Sequence, residues 1–163
     1  MFGHKPNQNQ KIVMAFGTFD YIHAGHENYL KKAKELGDYL IVIIARDETV
    51  KSVKGEFPHH SEKKRVNNLK NTGIPDKVML GNAGDKHKVI TKFKPKIIAL
   101  GYDQYVFTQK LEKTLIDHGL DTEIIRLEPY FPQIYKTSLI KKSLLEKQAK
   151  NDPNSIETTK PSA

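Results

Sequence analysis

The chain contains no cysteine among its 163 residues. That absence removes disulfides, thiolate metal sites and cysteine nucleophiles from consideration. No apolar run approaches the ~20 residues that a membrane-spanning helix needs. A signal-peptide pattern is also missing, so a cytoplasmic place without membrane contact is the simple expectation. Apolar residues make up only 37% of the chain, and part of the shortfall lies at the ends. Residues 1–10 and 149–163 are rich in Asn, Gln, Lys, Ser, Thr and Pro, a composition that buries too little surface to order itself. They are expected to be a flexible N-terminus and a disordered tail around one domain over residues 11–148, a length that suits a single core. The formal net charge of +8 points to anionic partners. The lysines are spread along the chain, with no dense basic block of the kind that marks a nucleic-acid arm. Nucleotides or phosphorylated metabolites therefore fit better than nucleic acid.

What the chain does have is apolar residues gathered into short runs. Residues 12–16, 39–45, 77–80, 96–100 and 122–126 read as strands, several of them apolar on both faces, as in parallel sheets. Between them lie helical patterns over residues 27–36, 62–70, 85–93 and 108–118. Ser61 suits the N-cap of the second, and Gly119 the position after the end of the fourth. Arg46 to Val50 follows the second run and leads into a polar, lysine-rich loop through residue 58, and Thr137 or Ser138 suits the cap of a last helix through about residue 148. Strands alternating with helices imply right-handed crossovers and a five-stranded parallel sheet with helices on both faces. In such α/β folds ligands bind beyond the carboxyl ends of the strands. Chemistry-bearing residues do follow the runs: Gly17 to His26, Arg46 to Lys54, and Gly101-Tyr102-Asp103-Gln104.

The organising stretch is Gly17-Thr18-Phe19-Asp20 followed by His23-Ala24-Gly25-His26, where a strand runs through a turn into a helix. Unpartnered N–H groups and the dipole make a helix start a ready anion site. Two imidazoles add donors for a transferring phosphate. Asp20 can contact a metal, orient a histidine, or bond main-chain N–H groups of the turn. Thr18 and Phe19 can shape a pocket through their main chain, and Phe19 suits the core equally well.

G-T-F-D followed by H-x-G-H resembles the signature of the nucleotidyltransferase superfamily that includes the cytidylyltransferases. The resemblance implies a Rossmann-like single domain that joins the α-phosphate of a nucleoside triphosphate to a phosphorylated acceptor and releases pyrophosphate. It implies His23 and His26 as catalytic phosphate contacts and a place near the metal for Asp20. A catalytic lysine is expected in the second loop, where Lys54 before Gly55 matches better than Lys51. Arg65 matches an arginine of the family that serves the nucleotide. Gly17, Gly25 and the turn Gly101, Asp103 and Gln104 are expected at the nucleotide, and Lys136-Thr137-Ser138 at the triphosphate. Lys136 stands where serine is commoner. A Mg²⁺ ion carried mainly by triphosphate oxygens is expected, since Mg²⁺ takes few protein ligands. A homodimer is compatible with the family.

Two subfamilies compete. The chain resembles archaeal-type FAD synthase, which transfers AMP from ATP to FMN, over residues 43–51, at Leu100-Gly101-x-Asp103-Gln104, and over residues 126–130. Tyr102 stands where that group often has Pro. The alternative is glycerol-3-phosphate cytidylyltransferase, using CTP and a small polyol phosphate. A third reading, a non-catalytic nucleotide- or RNA-binding domain, would leave the chain free to lose His23, His26 or Lys54, and all three are present. Tyr130, Phe131 and Tyr135 can offer a flat isoalloxazine ring an aromatic surface, or can serve packing or a dimer contact.

Overall fold

The computed structural model describes residues 5–129 except Lys86, Asp103 and Tyr105, without the side chains of residues 106–109. The proposed last helix, the tail after residue 148 and the aromatic residues 130–135 lie outside the described residues. Residues 7–10, read from composition as part of a loose terminus, close a turn in which Asn7 N–H donates to Gln10 Oε1 at 3.0 Å.

Five strands form one sheet: β1 (Ile12–Gly17), β2 (Tyr39–Ile44), β3 (Lys77–Leu80), β4 (Ile97–Leu100) and β5 (Glu123–Arg126). Every pairing is parallel, in the order β3-β2-β1-β4-β5. Alternation in β1 shows why both faces must be covered. Val13 and Ala15 join one core cluster, and Met14 and Phe16 the other. On the first face lie α1 (Ala24–Glu35), through Leu30 and Ala33, and α3 (Glu62–Asn71), through Leu69. On the second lie α4 (Lys88–Phe93), through Val89 and Ile90, and α5 (Val106–Asp117), through Leu111 and Leu115. The expected α/β architecture of five parallel strands with helices on both faces is the one observed.

One expectation needs correction. In the segment that leads into the lysine-rich loop, and in part of that loop itself, stands a helix α2 (Asp47–Lys54). Its only buried residue is Val50, so it lacks the apolar stripe from which helices are read. Its N-terminus is held from outside instead. Asp47 N–H donates to Glu62 Oε1 at 3.2 Å, and Glu62 N–H to Asp47 Oδ2 at 3.3 Å. The first residues of α2 and α3 thus cap each other, each supplying a carboxylate where the other has unpartnered N–H groups. Gly55, at φ 84°, ends α2 in the left-handed conformation that glycine adopts most easily.

The chain steps outward from β1 to β3, then returns to place β4 on the other side of β1. Strand order reverses between β1 and β4. Their ladder pairs Val13 with Ile97, Met14 with Ile98 and Ala15 with Ala99, and goes no further. Phe16 and Gly17 continue alongside β2 alone, so a crevice opens at the carboxyl ends of β1 and β4, where α/β sheets bind ligands.

Candidate active site

Gly17 ends β1, and a Cβ there would lie 2.7 Å from the ring of Phe19. Glycine is needed because Phe19 folds back over it. Phe19 adopts φ 53°, a conformation uncommon outside glycine, and its side chain is buried at 3% exposure. Its ring meets that of His26 edge-on at 5.3 Å between centroids. Of the two roles open to Phe19, its side chain takes the core one, as a wall behind a histidine.

α1 begins earlier than the apolar pattern indicated, with His23 as its N-cap. His23 Nδ1 accepts from Gly25 N–H at 3.1 Å and from His26 N–H at 3.4 Å. An Nδ1 that accepts carries no proton, so the proton of the neutral ring sits on Nε2. Gly25 takes part through its main-chain N–H. The rings of His23 and His26 stack at 3.9 Å with 22° between planes. Burial lowers the pKa of His23. His26 is lowered from 6.5 to about 4, first by burial and then by the charge of His23; the main chain of Tyr21 opposes this, and Lys54 lowers it a little more. Two neutral imidazoles therefore sit together at a helix N-terminus, and an arriving polyphosphate would favour their protonated forms. Tyr29 Oη, further along α1, donates to the main-chain oxygen of Ala99 at 2.6 Å, which ties the histidine-bearing helix to β4 across the crevice.

Asp20 does not face its own turn. Its Oδ2 accepts from His59 N–H and its Oδ1 from His60 N–H, both at 2.8 Å. His60 Nδ1 lies 2.6 Å from the main-chain oxygen of Asp20. The carboxylate, nearly buried, fastens the loop before α3 to the turn after β1. Of the jobs open to Asp20, the structure shows main-chain bonding and histidine orientation. No cluster of three or more His, Asp or Glu side chains suited to a metal occurs among the described residues.

Arg65 lies inside the fold. It is wholly buried, at 0% exposure. Its Nε donates to His60 O at 3.1 Å, Nη1 to Thr18 O at 2.9 Å and Ala45 O at 2.7 Å, and Nη2 to Asp47 Oδ1 at 2.7 Å. It binds the turn after β1, the end of β2, the start of α2 and the His60 loop into one platform beneath the histidines. Thr18 contributes its carbonyl to that platform.

On the other side of the crevice, Gln104 Oε1 accepts from Gly101 N–H at 2.8 Å, and Gln104 Nε2 donates to Phe16 O at 2.8 Å. That carbonyl lies just past the last β1–β4 pair, so Gln104 continues the ladder where the strands part. Arg126, at the end of β5, holds the same turn by donating to Gly101 O at 2.8 Å and Gln104 O at 3.3 Å. Asp103, Lys136, Thr137 and Ser138 lie outside the described residues. The sequence reading did not single out His59, His60 or Arg126 as site residues. The one visible signal was His59-His60 itself, the chain's only adjacent imidazole pair.

Comparison with known proteins places this geometry. A family model described as cytidylyltransferase-like matches residues 14–151. An FAD synthase of Pyrococcus horikoshii is 45% identical over 132 residues, covering 80% of this chain and 86% of the relative. An FAD synthase of Thermoplasma volcanium is 37% identical over 134 residues, covering 82% and 94%. Among solved structures, a Thermoplasma volcanium protein described as a lipopolysaccharide core biosynthesis protein superposes with a TM-score of 0.70 at 38% identity. That match covers 75% of this chain and 99% of the other. A pantoate-beta-alanine ligase from Francisella tularensis shares the fold, with a TM-score of 0.57 at 17% identity, over 87% of this chain and 71% of its own.

Proposed function

The chain belongs to the cytidylyltransferase-like family and is a nucleotidyltransferase, and from that premise we propose that it is an FMN adenylyltransferase. A phosphate oxygen of FMN attacks the α-phosphorus of ATP. The bond from that phosphorus to the bridging oxygen breaks, pyrophosphate leaves, and FAD forms. The nucleophile is already ionised, so no enzyme base is required. Positioning and charge stabilisation carry the rate, as in phosphoryl transfer generally.

His23 Nε2–H and His26 serve as donors to the transferring phosphate and the departing pyrophosphate, and Lys54 neutralises charge between the two substrates. The N–H groups at the start of α1 supply fixed dipoles. The turn at Gly101 and Gln104, with Asp103, receives the nucleoside, while Lys136, Thr137 and Ser138 receive the triphosphate tail. Asp20 and Arg65 act as positioning residues below. A Mg²⁺ ion carried by the triphosphate would supply further charge neutralisation for the leaving group, with few protein ligands of its own. The enzyme works in the cytoplasm, and its partners are small phosphorylated molecules.

The observation that carries the choice of acceptor is likeness to FAD synthases over four-fifths of the chain. The test is pyrophosphate release with Mg²⁺, pairing ATP or CTP with FMN or glycerol 3-phosphate. Release with ATP and FMN, with FAD as the second product, is expected. Release with CTP and glycerol 3-phosphate alone would keep the mechanism and replace the acceptor.

A further inference from the structure

The described residues leave three large apolar side chains exposed: Val53 at 67%, Phe57 at 51% and Ile116 at 79%. Two of them flank Lys54. Val53 precedes it in the last turn of α2, and Phe57 follows after Gly55 turns the chain. Phe57 stands two residues before His59, whose N–H donates to Asp20 Oδ2 at 2.8 Å in the turn that leads to the histidine pair, so this apolar pair stands at the edge of the reaction centre. Lys51 Nζ lies 4.5 Å from the centroid of the Phe57 ring. Two ammonium groups and an open aromatic surface thus share one short segment.

We infer that Val53 and Phe57 form the docking surface for the flat ring system of the acceptor, with Phe57 stacking on the isoalloxazine of FMN while Lys54 holds its phosphate. The inference rests on the flavin reading above and adds residues to it. Charge and shape both support the occupant. FMN is an anion joined through a ribityl chain to a planar ring, and the segment offers cations joined through a short chain to a planar ring. Phe57 is three positions along the chain from Lys54, so their Cα atoms are at most roughly 10 Å apart, within the reach of a ribityl phosphate. Singly exposed apolar side chains are ordinary on protein surfaces; this pair is set apart by its place among two lysines and next to the loop that Asp20 holds. Stacking of flat heterocycles on protein aromatic rings adds affinity without demanding hydrogen-bond geometry.

The test compares the wild type with Phe57→Ala and Phe57→Trp. Steady-state FAD formation is measured against FMN and ATP separately, and FMN binding is followed by quenching of flavin fluorescence. Phe57→Ala is expected to weaken FMN binding and raise its KM about tenfold, in line with loss of one stacking contact. The KM for ATP should stay unchanged, and Phe57→Trp should retain the wild-type values. Phe57 is exposed, so its truncation leaves folding intact. If the wild type forms FAD and Phe57→Ala has an unaltered KM and affinity for FMN, the docking surface is wrong while the flavin reading stands. A wild type that turns over ATP or CTP with another acceptor and never with FMN overturns both.

Discussion

Asp20 and His60 hold each other from both ends: the Asp20 carboxylate accepts the His60 N–H at 2.8 Å, and His60 Nδ1 donates to the Asp20 main-chain oxygen at 2.6 Å. The rings of His59 and His60 pack against Tyr21 at 5.3 and 4.9 Å between centroids. Aspartate in the G-T-F-D motif therefore joins two segments forty residues apart. The consequence is separable from metal chemistry. Asp20→Ala leaves two part-buried N–H groups without their acceptor, a loss on the order of 1 kcal/mol. The melting temperature should fall and turnover with it, while the Mg²⁺ concentration giving half-maximal rate stays where it was. A large rise in that Mg²⁺ requirement, with unchanged stability, would return Asp20 to the metal.

His23 has two duties on one ring, and they can be split. Nδ1 caps α1, while Nε2–H is the donor assigned to phosphate. Asparagine is a good N-cap but offers no imidazole at that reach. His23→Asn should keep thermal stability close to wild type and lower turnover by about 10²–10³, the effect of losing one oxyanion-type donor. His23→Ala should lose as much activity and, in addition, about 1 kcal/mol of stability through the missing cap. Melting curves beside initial rates check this, and full activity in His23→Asn would remove the ring from catalysis.

The strands and most helices are legible in the sequence because burial on both faces leaves unmistakable runs such as Leu40-Ile41-Val42-Ile43-Ile44. The helix α2 is not, since one buried valine makes no periodicity and its N-terminus depends on Glu62. The same divide separates the parts of the site. Gly17 to His26 is a contiguous motif whose local chemistry can be read in order. The contacts of Arg65 and Arg126 cannot be read from their places along the chain. Their roles arise from carbonyls brought to them by the fold, such as Thr18 O and Ala45 O for the first, and Gly101 O for the second. The resemblance singles out Arg65 but not the protein acceptors that enclose it, which only the fold brings together.

Burial of His26 makes folding stability depend on pH in a defined window. Its pKa is about 4 in the folded state against 6.5 ordinarily, so the unfolded chain binds the proton more readily. Stability is then fully present above about pH 6.5 and is lost as pH falls through about 4. Each tenfold change in proton affinity is worth about 1.4 kcal/mol, so the whole interval amounts to roughly 3 kcal/mol. His23 contributes in the same direction. Denaturant unfolding at steps from pH 7.5 to 4 should show this decline, and His26→Gln should flatten it. Equal slopes in the two proteins would mean that His26 is not held neutral.

Gln104 is the point where the sheet stops and the crevice begins. Its amide replaces the ladder contact that β4 no longer makes, donating to Phe16 O while accepting from Gly101 N–H. Glutamate at this position would still accept from Gly101, but its second oxygen would face the Phe16 carbonyl, setting acceptor against acceptor. Gln104→Glu should therefore splay the Gly101 turn away from β1 without touching the histidine pair. Because that turn is assigned to the nucleoside and the histidines to the transferring phosphate, the two kinetic constants should respond differently. The KM for the nucleotide is expected to rise about tenfold, as for loss of a buried hydrogen bond of about 1.4 kcal/mol, and kcat should change little. Gln104→Leu, which removes both contacts, should raise it further. A fall in kcat at constant KM would place the turn at the reacting phosphate instead. Proportionate change in both would mean that Gln104 supports the whole crevice, through β1, and with it the histidines.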